Sequence, residues 1–233
     1  MDKIIVAIGG GEIKNKTTLK IDKYVADLAK KHSGEKRANA LFFGTASHDS
    51  MPYFNSFRKT YTSVFDIKAE VALLVYGEMN IEHIEEKIEN ADCIYVGGGD
   101  TVFMIDKWKE TGIDKLLLKA YESGKIICGL SAGAICWFQN MYTDYEIMRN
   151  ESGEYAMKKG MGVLEGTICP HYNERRQDFF ETMLKKDIQK AYCIENDCAV
   201  VFVNGQPKEV VSSGGKAYVA INDNGQIKEI EML

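Results

Sequence analysis

Lys125-Ile126-Ile127-Cys128-Gly129-Leu130-Ser131-Ala132-Gly133-Ala134 is an apolar run that breaks on small residues and then continues. The run reads as a buried strand, the break as a tight Gly-x-Ser-x-Gly turn, and Ala134 to Asn140 as a helix. The same punctuation recurs upstream. Lys3 to Ile8 enters Gly9-Gly10-Gly11, Ala38 to Phe43 enters Gly44-Thr45-Ala46-Ser47, and Asp92 to Val96 enters Gly97-Gly98-Gly99. Helical spacing fills the intervals at Thr18 to His32, Tyr53 to Phe65, Ile81 to Ile88, Val102 to Lys109 and Asp114 to Ser123, with a further strand at Ala69 to Tyr76. Strands that alternate with helices and close on glycine predict βαβ units and a mostly parallel sheet with helices on both faces. Ligands on such sheets bind beyond the carboxyl ends of the strands, where the glycine clusters fall. After about Gly160 the pattern changes to short strand-like runs, from Val163 to Cys169 through Ile227 to Met232, with one helix at Glu174 to Lys186. Turns such as Asn204-Gly205 and Asn224-Gly225 separate several of them. No linker intervenes. The expectation is a single α/β domain over residues 1–233, with extra, mostly antiparallel strands near its C-terminus.

Composition narrows the function classes. A chain of 233 residues with 45% hydrophobic and 27% charged residues can bury a core and is not disordered. A net charge of −5 leaves no basic excess for nucleic acid or an anionic membrane surface. No apolar run approaches the about 20 residues that span a bilayer, and Met1 to Val6 leads into a strand without the apolar stretch of a signal peptide. The six cysteines form no Cys-x-x-Cys pair and mostly sit inside apolar runs, which predicts buried free thiols in a reducing compartment. The protein is therefore expected to be cytoplasmic. Only Cys169-Pro170-His171 brings potential metal ligands close, and no metal or cofactor is expected.

The Gly-x-Ser-x-Gly turn lies between a strand and a helical stretch, the context of a nucleophile elbow that exposes Ser131. A serine nucleophile needs a base, and the chain has four histidines. His32 ends a helix, His83 sits on a charged helix face, and His48 follows a strand end. His171 follows the apolar run Ile168-Cys169-Pro170 and is the best placed. Glu195, at the end of the strand Ala191 to Ile194, is the first choice for the acid that orients the base; Asp144 and then Asp197 follow. A Gly98 or Gly99 amide together with that of Ala132 would form an oxyanion hole. Neither triple-glycine loop fits a nucleotide-binding fingerprint, since no Gly-x-Gly-x-x-Gly and no P-loop lysine is present.

Val96-Gly97-Gly98-Gly99-Asp100-Thr101, Gly129-Leu130-Ser131-Ala132-Gly133-Ala134 and Pro170-His171-Tyr172 with Arg175 and Arg176 resemble the serine peptidases typified by peptidase E, to which cyanophycinase is related. The resemblance covers about residues 1–200. It implies a flavodoxin-like sheet akin to class I glutamine amidotransferases, with Ser131 as nucleophile and His171 as base. It places the acid within Ile194-Glu195-Asn196 in one alignment and at Asp144 in another, in line with the candidates Glu195 and Asp144. Asp100 stands where peptidase E has asparagine, beside the substrate pocket with Thr101, and a carboxylate there would repel an aspartyl side chain by ~1 kcal/mol. The expected activity is hydrolysis of short peptides by a monomer or homodimer, with Arg175 or Arg176 capturing a substrate carboxylate. The alternatives are a serine esterase with Asp144 as acid, or a small-molecule binding protein of this fold whose triad has lapsed.

Overall fold

The computed structural model describes residues 2–77, 80–150 and 153–233. Five parallel strands, β1 (Ile4–Ile8), β2 (Asn39–Phe43), β3 (Lys68–Ala72), β4 (Cys93–Val96) and β5 (Ile126–Leu130), lie in the order β1-β5-β4-β2-β3. Alternate residues serve opposite faces, as the two-residue period of a strand requires. Val6, Ile8, Phe42 and Tyr95 pack with α1 (Leu19–Ser33) and α2 (Met51–Ser63) through Val25, Phe57 and Tyr61. Ile5, Leu41, Phe43 and Ile94 face the other way, toward α3 (Ile81–Asn90), α4 (Thr101–Thr111) and α5 (Ile113–Glu122) through Ile88, Trp108 and Leu117. Because both faces are covered, the inner strands β1, β5 and β4 are apolar along their length, while the edge strand β3 carries Lys68 and Glu70. The expected mostly parallel sheet with helices on both faces is what forms.

The C-terminal part supplies the expected, mostly antiparallel strands, and most of them form a second sheet. The helix after the elbow, α6 (Ala132–Ile135), has only 4 residues, and β6 (Phe138–Thr143) follows where a helix to Asn140 was expected. Tertiary packing decides this: Phe138 sets its ring edge-on to Phe202 at 5.3 Å and against Tyr192 at 5.9 Å, while Gln139 is exposed. After the short α7 (Tyr145–Met148) come β7 (Ala156–Lys159), β8 (Leu164–Cys169), α8 (Tyr172–Lys185) and β9 (Lys190–Ile194). Strands β6, β8 and β9 run parallel, and α8 is the crossover that returns the chain in the same direction between β8 and β9. Next, β10 (Cys198–Val203) and β11 (Gln206–Ser212) go back to the first sheet and pair antiparallel beside β1. Finally β12 (Ala217–Asp223) and β13 (Gln226–Glu231) join β9.

The result is a seven-stranded sheet, β11-β10-β1-β5-β4-β2-β3, and a six-stranded sheet, β13-β12-β9-β8-β6-β7. One buried cluster takes Ile5, Ile127 and Phe202 from the first and Phe138, Ile168 and Ile194 from the second. The loop after β1 ties the strand ends together. Ile8 C=O accepts from Ser131 N–H at 2.9 Å, Gly9 C=O from His171 N–H at 2.9 Å, and Gly10 C=O from Asp197 N–H at 3.0 Å. All six cysteines are buried and unpaired. Among the described residues no helix is long and apolar enough to cross a membrane.

Candidate active site

Ser131 leaves β5 with φ 51° and ψ −110°, a left-handed backbone that costs a non-glycine residue ~1–3 kcal/mol and must be held by its surroundings. Three backbone hydrogen bonds hold it. Its N–H donates to Ile8 C=O, and its C=O accepts from Ala134 and Ile135 N–H, each at 2.9 Å. The motif glycines are needed for close approach: a Cβ on Gly129 would lie 1.9 Å from the Gly133 carbonyl oxygen.

His171 is also left-handed, with φ 48° and ψ 40°, at the residue between β8 and α8. Its Nε2 lies 2.8 Å from Ser131 Oγ, and its Nδ1 lies 2.6 Å from Asn196 Oδ1. The Asn196 amide is fixed from behind, where its Nδ2 donates to Glu174 Oε1 at 2.5 Å. A carboxylate accepts only, so the amide NH2 faces Glu174 and the carbonyl faces the imidazole. It follows that Nδ1 carries the ring proton and Nε2 offers its lone pair to the Ser131 hydroxyl. Asn173 Oδ1 accepts from Asn196 N–H at 2.9 Å and completes the clamp. Gly10 makes room for it, since a Cβ there would fall 2.0 Å from Asn196 Oδ1 and 2.5 Å from His171 Nδ1. Burial, then the nearby Arg175 cation, holds the His171 pKa below its ordinary 6.5; the Asn196 hydrogen bond, Glu174 and Asp144 act in the opposite direction.

The acceptor expected to be an acid is therefore the carbonyl oxygen of an amide. Glu195 ends beside β12: its Oε2 accepts from Lys216 N–H at 2.9 Å, and its own N–H donates to Lys216 C=O at 3.0 Å. Successive residues leaving a strand point to opposite sides, so Asn196 faces His171 and Glu195 does not. Asp144 lines the cavity in front of Ser131, but its Oδ2 accepts from Arg175 Nη2 at 2.7 Å. Asp197 accepts from Thr17 Oγ1. The remaining histidines lie against other partners: His32 on Asp92, His48 on the Phe103 ring, His83 beside Glu86.

The cavity holds about 720 Å³ and is lined by Ser131, His171, Gly98, Gly99, Asp144, Lys14 and Tyr53 among others. The Gly98 N–H, one of the expected oxyanion donors, donates to the Tyr53 hydroxyl at 3.3 Å. Asp100 is 5% exposed and caps α4, its Oδ1 accepting from Phe103 N–H at 2.9 Å and its Oδ2 from Arg149 Nε at 2.5 Å. Thr101 begins α4 and is buried. Arg175 is 3% exposed, lies over the Tyr155 ring, and has two N–H groups, Nε and Nη1, without a hydrogen-bond partner among the described residues. Arg176 points elsewhere, to Glu229 at 3.1 Å and over the rings of Tyr172 and Tyr218. Asn196, Asn173, Glu174, Tyr53 and Arg149 are the residues that sequence reasoning passed over. A search for acids skips an amide, and nothing local ties Tyr53 or Arg149 to the elbow.

A model of Peptidase family S51 matches residues 5–210. The chain is 31% identical over 237 residues to the uncharacterized peptidase YgaJ of Bacillus subtilis (strain 168), covering 100% of this chain and 97% of that one. A crystal structure of a peptidase from an acI-B1 Actinobacterium superposes with a TM-score of 0.71 at 18% identity, covering 99% of this chain and 94% of the other. A Listeria monocytogenes EGD-e protein provisionally assigned as a peptidase E gives a TM-score of 0.62 at 23% identity, covering 91% and 98%.

Proposed function

We propose, from the premise that the chain belongs to peptidase family S51 and is a serine-type peptidase, that it hydrolyses short peptides in the cytoplasm using Ser131 and His171. The likeness to peptidase E read from the motifs holds at the level of the family. The observation that carries the site assignment is the 2.8 Å contact between Ser131 Oγ and His171 Nε2 on a strained elbow. Ser131 Oγ attacks the scissile carbonyl as its proton passes to His171 Nε2. Asn196 Oδ1 holds the Nδ1–H and so keeps the ring in the tautomer and orientation that can accept that proton. The Ala132 and Gly98 amides receive the negative oxygen of the tetrahedral intermediate, the Gly98 N–H exchanging its long bond to the Tyr53 hydroxyl for the oxyanion, with Gly99 as the alternative to Gly98. His171 then returns the proton to the departing amine, and water repeats the sequence on the acyl-enzyme.

Substrate size follows from the cavity, whose about 720 Å³ suits a di- or tripeptide. Of the two arginines expected to hold a substrate carboxylate, Arg175 is the nearer, paired with Asp144 of the cavity wall, but its Nε and Nη1 are buried and reach a substrate oxygen only if the side chain shifts, while Arg176 is engaged with Glu229. Both arginines that reach this region, Arg149 and Arg175, already face an aspartate, so a strict requirement for an aspartyl side chain is not part of this reading.

A dipeptide and tripeptide library assayed with wild type and Ser131→Ala tests the proposal, alongside labelling by a fluorophosphonate. Hydrolysis and labelling should both disappear in Ser131→Ala. Labelling that survives there would place the nucleophile elsewhere, and a wild type that neither labels nor cleaves would return the lapsed-triad binding protein.

A further inference from the structure

Triads of this kind place a carboxylate on the base, where its charge stabilises the imidazolium that forms during attack. Here an uncharged amide holds that place, and the nearest charge in line stands one residue further back. The geometry points to Glu174 as a positioning residue that acts on His171 through Asn196, its carboxylate fixing the amide and supplying the negative charge that the amide lacks. The inference rests on the reading of Ser131 and His171 given above.

Three observations converge on it. The links are short and in series, 2.6 Å from His171 Nδ1 to Asn196 Oδ1 and 2.5 Å from Asn196 Nδ2 to Glu174 Oε1. Hydrogen bonds in such a chain polarise one another, so an amide whose NH2 faces a carboxylate presents a more negative carbonyl on its other side. Glu174 and His171 are also neighbours on one turn. His171 precedes the first residue of α8, its C=O accepts from Glu174 N–H at 2.8 Å, and Glu174 lies in the first turn of that helix. Finally, Asn173 Oδ1 holds the Asn196 backbone N–H, so the main chain there is anchored without Glu174, and Glu174 acts on the side-chain amide alone.

Other charges also face the imidazole. Asp144, from the turn after β6, and Glu174 favour its charged form, while Arg175, from α8, opposes it. Arg175 is paired with Asp144 at 2.7 Å, which leaves Glu174 as the carboxylate hydrogen-bonded in line with the ring. Glu174 is exposed, so its influence is screened by salt and should shrink as ionic strength rises.

The test measures the second-order rate of fluorophosphonate labelling of Ser131 against pH, which needs no knowledge of the substrate. In that reaction Ser131 Oγ bonds to phosphorus, fluoride leaves, and the serine proton goes to His171. Glu174→Gln keeps a side chain of the same shape at an exposed position. It should move the acid limb of the profile down by about half to one pH unit, because the protonated imidazole loses its charge partner. It should also lower the plateau by about tenfold or more, a smaller loss than direct removal of a triad acid. Combining Glu174→Gln with Asn196→Asp exchanges the two groups, puts the charge directly on the ring, and should bring both acid limb and plateau back to wild type or beyond.

Thermal midpoints of each variant separate these effects from unfolding, and the imidazole titration of His171 followed by NMR reads the same shift without any reaction. An unmoved acid limb and His171 titration in Glu174→Gln would overturn the inference, as would an exchanged pair no faster than Glu174→Gln. In either event, loss of labelling in Ser131→Ala would still leave the peptidase reading standing, so the two can fail separately.

Discussion

The nucleophile and its base come from two differently built halves of the molecule. Ser131 stands on the seven-stranded sheet, at the end of β5, where contiguous residues make the strand, the turn and the helix start. His171 and Asn196 stand at the ends of β8 and β9 in the six-stranded sheet, 25 residues apart in the chain and joined by side-chain contacts. The first half is held by backbone geometry. The second depends on a lattice of amides and a carboxylate that only the fold assembles. Rigid local structure tolerates change around it, whereas a side-chain lattice passes a change at any member on to the imidazole.

The largest effect should come from the contact that joins the halves. Ser131→Ala and His171→Ala should each lower the hydrolysis rate by at least ~10³-fold, and the double variant should be no worse, because the two act as one unit. Losses that multiply in the double variant would break the pairing. The wild-type kcat/KM profile sharpens the same point. Burial and the Arg175 cation favour neutral His171, so the base stays competent at pH values somewhat below the ordinary histidine 6.5 and fails only as the ring protonates. An acid limb above 6.5 would contradict that sign.

Next comes Gly10→Ala, which acts on the base half from the nucleophile half's own sheet. Its Cβ would meet Asn196 Oδ1 at 2.0 Å and His171 Nδ1 at 2.5 Å, so the ring and amide must part. A loss of about 10²-fold in kcat, with a thermal midpoint that falls only modestly, is expected, since misplacement of about 1 Å costs that much. Wild-type kcat would show that the clamp can shift without consequence.

The same division explains what was legible in the sequence. Ser131, His171 and the glycine-ended strands could be read because each rests on a local pattern: a run, a break and a turn. The helix expected at Ala134 to Asn140 failed because Phe138 is held by Tyr192 and Phe202, residues more than fifty positions away. The late strands are legible as mostly antiparallel additions to the domain, but nothing local shows that they build a second sheet or that α8 makes β8 and β9 a parallel pair within it. Charge points to Glu195 and Asp197, the two acids of this loop; strand parity turns Asn196, which stands between them, toward the ring. Kinetics can set the two against each other. Asn196→Ala should cost about tenfold to 10²-fold in kcat, while Glu195→Gln should stay within a few-fold of wild type, since a glutamine oxygen can still accept from Lys216 N–H. The reverse order would return the orienting role to Glu195.

The smallest effect is expected at Asp100, where sequence and structure give different expectations. As a pocket residue its charge would repel an aspartyl substrate. In the structure its oxygens are both engaged, one capping α4 through Phe103 N–H and one on Arg149 Nε, and the residue is 5% exposed. Asparagine is as good a cap as aspartate, so Asp100→Asn keeps the first of these contacts. It loses the ion pair with Arg149, whose side chain is 33% exposed, and solvent screening limits that loss to about 1 kcal/mol of stability. Preference between an aspartyl and an alanyl dipeptide should then change by no more than a few-fold. Relative kcat/KM for the two dipeptides, measured beside the thermal midpoint, decides between the expectations. A lowered midpoint with unchanged preference assigns Asp100 to the scaffold under the nucleophile half. A tenfold gain for the aspartyl dipeptide with an unchanged midpoint would mean that its charge reaches the substrate.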